Sequence, residues 1–232
     1  MRKIKFLIYK LVLVMTRKLK IIEHEGFSDY STLLQEQLVY AQKIAEDKSH
    51  PYVLQFLEHK PVMTIGKTFE SQHLLLNKQQ LNAKGIEVID VNRGGSVTYH
   101  GPGQLIVYCH IHLKEVGIFL DTYLRELEEW VQRTLSEYSI GNRREKGKTG
   151  VWTDKGKICA MGIAAKKFVT YHGLSINFNV DMKCFNYIIP CGLSEPVASM
   201  HQYDTPVSRK SLKETMLKQP PSWLENLELT TD

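Results

Sequence analysis

A chain of 232 residues with 43% hydrophobic and 24% charged side chains is long enough for one domain with a proper core, and this makeup excludes disordered and fibrous classes. Its net charge of +5 is concentrated at one end: residues 1–20 hold seven basic side chains and no acid, so the rest sums to 5 − 7 = −2, which argues against a general nucleic-acid-binding face. Cys109, Cys159, Cys184 and Cys191 have neither C-x-x-C spacing nor the density of a small secreted scaffold, so a reducing compartment, the cytoplasm, is expected.

Residues 1–20 read as a basic N-terminal extension, followed by one domain over 21–232. Apolar runs at 6–9 and 11–14, broken by Lys10, are too short to span a bilayer, and no stable membrane association is expected. Three readings of this tail stay open: an organelle-targeting peptide, which would move the protein to the mitochondrial matrix, a membrane-surface helix, or an upstream stretch with Met15 as the working start.

Residues 31–47 place Leu33, Leu34, Leu38, Ala41, Ile44 and Ala45 at helical spacing, with Ser31 or Thr32 as N-cap. Strands are expected at 53–57 and 62–65, joined by Glu58-His59-Lys60-Pro61 as a hairpin turn. A short helix over 77–84 ends at Gly85, and a strand over 86–91 runs into Arg93-Gly94-Gly95-Ser96-Val97-Thr98-Tyr99-His100-Gly101-Pro102-Gly103. Glycine weakens both strand and helix, so 93–103 is expected to be a shaped loop, either a bulge at a sheet edge or one wall of a binding site. The strand leaving it, 105–113, alternates Leu105, Val107, Cys109, Ile111 and Leu113 against Ile106, Tyr108, His110 and His112. An amphipathic helix over 121–137, a basic connection over 141–148, a meander of strands at 150–153, 157–164 and 168–180, and a helix over 208–217 complete the chain. Helices interleaved with hairpins argue for a single α+β domain with mixed sheets flanked by helices. The glycines fit neither G-x-G-x-x-G nor a P-loop, so phosphate cradling is unsupported.

Cys191 sits between Pro190, which fixes φ, and Gly192, which frees it; a thiol on such a turn is either a presented nucleophile or, like most cysteines, a small buried hydrophobe. Lys157 opens a strand whose Ala160-Met161-Gly162 is small enough for a ligand to lie against, and it is either solvated or placed to lower a thiol pKa and move protons. Cys159 and Cys184 read as packing residues. His172 reads either as orienting the loop or, the favoured reading, as a satisfied core histidine, and His110 with His112 lacks a third ligand, so no metal is expected.

Taken in order, Arg93-Gly94-Gly95-x-x-Thr98-Tyr99-His100-Gly101-Pro102-Gly103-Gln104-Leu105, Gly150-Val151-Trp152, Gly156-Lys157-Ile158 with Gly162, His172-Gly173-Leu174 with Asn177, and Pro190-Cys191-Gly192 resemble the lipoyl(octanoyl) transferase family over roughly residues 20–200. The resemblance implies the α+β fold of biotin and lipoate protein ligases. It also implies transfer of an octanoyl group from octanoyl-acyl carrier protein to a specific lysine of lipoyl domains, those of the E2 subunits of 2-oxoacid dehydrogenases and of the glycine cleavage H protein. Cys191 would form an acyl-thioester, Lys157 would lower its pKa and serve as acid or base, and neither ATP nor another cofactor would be needed.

By the same resemblance Arg93, Gly94, Gly95, Ser96, Val97, Thr98, Tyr99 and His100, with Ala160, Met161, Gly162, Gly173, Leu174 and Ser175, would line the acyl site. Backbone amides and His100 would supply donors to the thioester oxygen. The sequence departs from the family where Cys109-His110 follows Tyr108, a position at which proline is frequent. The competing readings are an ATP-dependent lipoate protein ligase, which needs no cysteine, and an inactive module that binds acylated carrier or lipoyl domains. Arg143, Arg144, Lys146 and Lys148 form either a docking patch for an acidic carrier or a solvated loop.

Overall fold

The computed structural model describes residues 17–189, 196–225 and 227–230. Strand β1 (Leu19–Ser28) is followed by helix α1 (Tyr30–Glu46) and strand β2 (Tyr52–His59), a crossover that sets β1 and β2 parallel, Leu19 opposite Tyr52. The first helical turn is capped by Asp29, whose carboxylate accepts from Thr32 N, not by Ser31 or Thr32 as expected; the same carboxylate also accepts the Thr32 hydroxyl.

Strand β3 (Val62–Ile65) does not pair with β2, so the expected hairpin at 58–61 is absent. The chain changes sheets there. β3 lies between β4 (Glu87–Asp90) and β5 (Val97–His100) in a three-stranded sheet, with the short helix α2 (Lys78–Asn82) in the connection, capped by Asn77. The stretch read as loop throughout 93–103 therefore contains a strand: Val97 faces Ile65, and Tyr99 faces Met63. β-Branched Val97 and Thr98 and aromatic Tyr99 carry it despite the flanking glycines.

Strand β6 (Gln104–His110) returns to the large sheet and pairs antiparallel with β2. After it come α3 (Leu113–Val116), whose N-cap is His112, and α4 (Leu120–Glu137). The meander β7 (Val151–Thr153), β8 (Gly156–Lys166) and β9 (Val169–Asn177) gives the large sheet the order β1-β2-β6-β9-β8-β7. A 3-10 turn (Met182–Tyr187) and helix α5 (Arg209–Lys218), capped by Ser208, follow.

Both faces of the central strands are covered, which is why every residue of β6 is buried. On one face Leu54, Leu105, Val107 and Cys109 belong to the core that includes Leu127, Trp130 and Val131 of α4 and Leu212 and Met216 of α5. On the other, Leu57, Ile106 and Tyr108 cluster with Leu33 of α1. A separate cluster, including Met63, Ile65, Val97, Tyr99 and Phe185, holds the small sheet. Arg17, Leu19 and Lys20 belong to this fold rather than to an extension: Leu19 and Lys20 open β1, and Arg17 is buried against Glu115. Among the described residues no helix is long and apolar enough to cross a membrane.

Candidate active site

The two sheets meet where the glycine-rich segment crosses the middle of β8 and β9. Gly94 N donates to Ile163 O (3.3 Å), and Arg93 is pinned by its guanidinium to Thr64 O (2.7 Å) and Thr64 Oγ1 (2.8 Å) of β3. Between them opens a narrow cleft. Its wall from the glycine segment is Arg93, Gly94, Gly95, Thr98 and His100; its wall from the large sheet is Ala160, Met161 and Gly162 of β8 opposite Ser175, Leu174 and Gly173 of β9. A Cβ on Gly162 would lie 2.9 Å from Arg93 Cδ and 3.1 Å from Gly94 O, so a bare Cα is what lets the segment approach the sheet.

Three expected binding residues turn away. Strand alternation sends Thr98 and His100 toward the cavity and Val97 and Tyr99 into the core of the small sheet, where Tyr99 meets Phe185 edge to face. Ser96 is buried beneath, bonded through its hydroxyl to His73 Nδ1 (2.9 Å). Four lining residues were not expected: Tyr30, Ile106, Tyr108 and His172. The polar–apolar mixing along 106–112 was the one signal that could have found Tyr108.

These aromatics continue into a buried floor. His59 Nδ1 faces Ser28 O at 3.1 Å, an acceptor only, so His59 carries its proton there and its Nε2 accepts from the Tyr108 hydroxyl at 2.6 Å. Tyr30 stacks against His100 and bonds His172 Nδ1 at 3.3 Å, while His172 Nε2 is buried without a hydrogen-bond partner. Burial pushes His59 down to about 4 and His172 to about 3, the latter helped by the Arg93 cation. His100 is held well below the usual histidine range by burial, then by His59 and Arg93. The floor is neutral at physiological pH.

A second cavity, lined by Lys157, Gln104, Asn177, Phe185 and Val197, shares Thr98, Ala160 and Ser175 with the first. Lys157 points along it with Nζ 4.8 Å from the Trp152 ring centre. Gly150, at φ 135°, makes room for that side chain, since a Cβ there would lie 2.6 Å from Lys157 Cε. The backbone of Lys157 is bonded on both sides of Val197, donating to Pro196 O and accepting from Ala198 N, each at 2.9 Å.

Cys191, with Pro190 and Gly192, lies outside the described residues. The chain runs up to that segment at Ile189, bonded to His73 O (2.8 Å), and leaves it at Pro196, bonded to Lys157. Burial pushes the other thiols up, Cys109 to about 12 and Cys159 and Cys184 also upward. Of the remaining histidines, His110 bonds Gln55 (2.9 Å) inside the sheet.

The expected role of His100 as an oxyanion donor does not fit its contacts. Its Nδ1 faces Gln104 Oε1 (3.1 Å), which leaves the neutral ring without a proton on Nε2. Donors to an oxyanion would have to come from backbone amides.

The architecture is that of lipoate protein ligases. Lipoate-protein ligase A bound with ATP aligns with a TM-score of 0.69 at 16% identity, covering 94% of this chain and 89% of its own. A bi-partite lipoate protein ligase of Thermoplasma acidophilum aligns at 0.67 and 17%, covering 94% and 87%. The model of the lipoyl protein ligase A/B catalytic domain matches residues 29–220.

Within that class the similarity falls on octanoyltransferases. The octanoyltransferase of Cytophaga hutchinsonii is 35% identical over 94% of this chain and 96% of its own length, and that of Flavobacterium psychrophilum 40% over 75% and 78%. The octanoyltransferase of Flavobacterium johnsoniae is 47% identical over 60% of this chain, a match that spans 62% of that relative. The chain belongs to the octanoyltransferase family of acyltransferases.

Proposed function

We propose that this protein transfers an octanoyl group from octanoyl-acyl carrier protein to a specific lysine of lipoyl domains through a thioester on Cys191, without ATP. The observation that carries this reading is the pairing of two adjoining cavities. One is walled by small residues and Met161, Leu174 and Ile106, suited to an alkyl chain; the other holds Lys157. Lys157 favours a thiolate beside it by opposite charge and can protonate a leaving sulfur. The acyl chain packs between the glycine segment and strands β8 and β9, and the thioester oxygen is stabilised by backbone N–H groups.

The reaction balances without an external energy source. The Cys191 thiolate attacks the carrier thioester, the carrier thiol leaves with a proton, and the target amine then displaces Cys191 to form the amide. The acceptors are lipoyl domains of the E2 subunits of 2-oxoacid dehydrogenases and of the glycine cleavage H protein, and the setting is the cytoplasm.

The test is incubation with octanoyl-carrier protein, then with apo lipoyl domain, in the absence of ATP, followed by intact-mass analysis. One octanoyl adduct on the wild type, absent in Cys191→Ala, and octanoylated lipoyl domain are expected. Modification only when ATP and free octanoate are added would overturn the reading in favour of a ligase.

A further inference from the structure

Among the described residues seven large apolar side chains are exposed, and three of them meet in one groove. Its walls are Leu113 of α3, Ile118, Phe119 and Leu120 leading into α4, and Ala165 and Phe168 of the β8–β9 hairpin. Phe119 is 81% exposed and Phe168 60%, so both rings stand open to solvent. The groove shares no residue with the two cavities above.

Both phenylalanines occupy positions where another residue would serve the fold better. Lys167 and Phe168 form the two-residue turn between β8 and β9 at φ 49° and 67°, a left-handed pair that such a turn normally fills with Asn-Gly. Phe119 is the N-cap of α4 and makes no side-chain cap bond, at a position that favours Ser, Thr, Asp or Asn. Two local rules are broken, and each breach displays a phenylalanine on the same groove. Departures of that kind mark functional surface. The turn is nonetheless held firmly, with Phe168 O accepting from Leu113 N (2.9 Å) and the Phe168 ring stacked on His112.

Charge and distance say what the groove fits. Lys114, with Nζ 5.8 Å from the Phe168 ring centre, joins exposed Lys166 and Lys167 around the hairpin tip. The carboxylates nearby are engaged within the fold: Glu46 with Lys167, Glu115 with Arg17, and Asp121 with Thr122 N. The complement is an acidic partner with an apolar face. Ala165 of the groove and Ala160, which borders both cavities, lie five residues apart on β8, about 17 Å. An acceptor lysine reaches only about 6 Å from Cα to Nζ, whereas a phosphopantetheine arm, with roughly thirteen bonds between phosphorus and sulfur, extends about 17 Å. The distance therefore selects the donor. The basic connection at 143–148 carries charge but no apolar side chain.

We propose that this groove is the docking site for the protein part of the acyl donor, an acidic carrier whose apolar face packs on Phe119, Leu120 and Phe168 while its arm reaches along β8 to the cavities. This deepens the acyl-enzyme reading above and rests on it.

The experiment compares two donors on the full-length protein: octanoyl-carrier protein and octanoyl-pantetheine, which keeps the thiol arm and lacks the carrier. Adduct formation is followed by intact mass over a range of each donor. Phe119→Ser, and the double variant Lys167→Asn with Phe168→Gly, should raise the half-saturating concentration of octanoyl-carrier protein about 10- to 100-fold while loading from octanoyl-pantetheine stays within about twofold of wild type. Their urea midpoints should match or exceed that of wild type, since each supplies the residue that the local backbone favours. Lys166→Glu should weaken carrier use too and flatten its dependence on salt. Equal effects on both donors, or on neither, overturn the proposal. So does slowed discharge of the preformed adduct onto apo lipoyl domain with carrier loading unchanged, which would seat the acceptor in the groove. A wild-type dimer that these variants dissociate would seat a second copy there and overturn it as well. No adduct on the wild type from either donor overturns the acyl-enzyme reading itself, a result distinct from weakened use of the carrier alone.

Discussion

Lys157 holds its Nζ 4.8 Å from the centre of the Trp152 ring, on a stem that passes the bare Cα of Gly150. A lysine on a flexible stem needs such a guide to keep its charge in one place, and the ring face supplies one. Trp152→Leu should therefore lower transfer by about fivefold, in line with a cation–π contact of about 1 kcal/mol, and Lys157→Met by at least about 100-fold. Alkylation by iodoacetamide reports the cause. The pH midpoint for modification of Cys191 should rise in Lys157→Met and rise less in Trp152→Leu; an unchanged midpoint in both would remove Lys157 as the group that lowers the thiol pKa.

Four buried histidines make folding sensitive to acid. Burial holds His59 at about 4, His172 and His110 at about 3, and His100 below its ordinary range. The unfolded chain takes up these protons near pH 6.5, while the folded chain refuses them until pH 3 to 4. Stability is thus full above about pH 6.5 and falls as the pH drops through that window, by up to about 3 kcal/mol for a histidine lowered to about 4. Urea midpoints measured from pH 7.5 to 4.5 should fall steadily. Imidazole NMR signals of His59 and His172 should not shift above pH 5, and a midpoint near 6.5 for either would refute its neutral burial.

Much of this was legible in the chain itself. The 3.6-residue pattern located α1 and α4, and the glycine-rich and Lys157 segments turn up in the walls of the two cavities, because local spacing sets those features. What was lost depends on distant partners. Strand β1 escaped because Leu19–Ser28 is polar at an edge and is stabilised by parallel pairing to β2, which no local pattern reveals. The link at 58–61 looks the same whether its strands pair or part company. Ser96, Val97 and Tyr99 were taken with their neighbours because a loop has no faces; once 97–100 is a strand, alternate residues must diverge. His59 entered the site floor through its bond to Tyr108, 49 positions away, and its ring contact with Tyr30.

Gly162 separates substrate fit from stability. A side chain there would press on Arg93 Cδ at 2.9 Å and Gly94 O at 3.1 Å, at the point where β8 passes the glycine segment. Overpacking of this kind costs about 1 to 3 kcal/mol. Gly162→Val should lower the unfolding free energy by that amount and reduce octanoyl loading more than loading of a shorter acyl group such as butanoyl. Equal losses for both chain lengths would mean that the strand does not border the acyl chain.

Arg17 anchors the segment that leads into β1. Its guanidinium bonds Glu115 through both Nε (2.6 Å) and Nη2 (2.9 Å) and also donates to the carbonyls of Ile44, Asp47 and His50, the groups that close the end of α1 and the turn into β2. Losing it takes a donor from three carbonyls and a partner charge from a partly buried carboxylate together. Arg17→Met should therefore destabilise the protein by about 2 to 3 kcal/mol, discounted from a fully buried pair because Glu115 is partly exposed. Deletion of residues 1–14 leaves these contacts in place, so its urea midpoint and its acyl transfer should match the full-length chain. A truncated chain that loses more stability than Arg17→Met would show that the basic segment contributes to the fold after all.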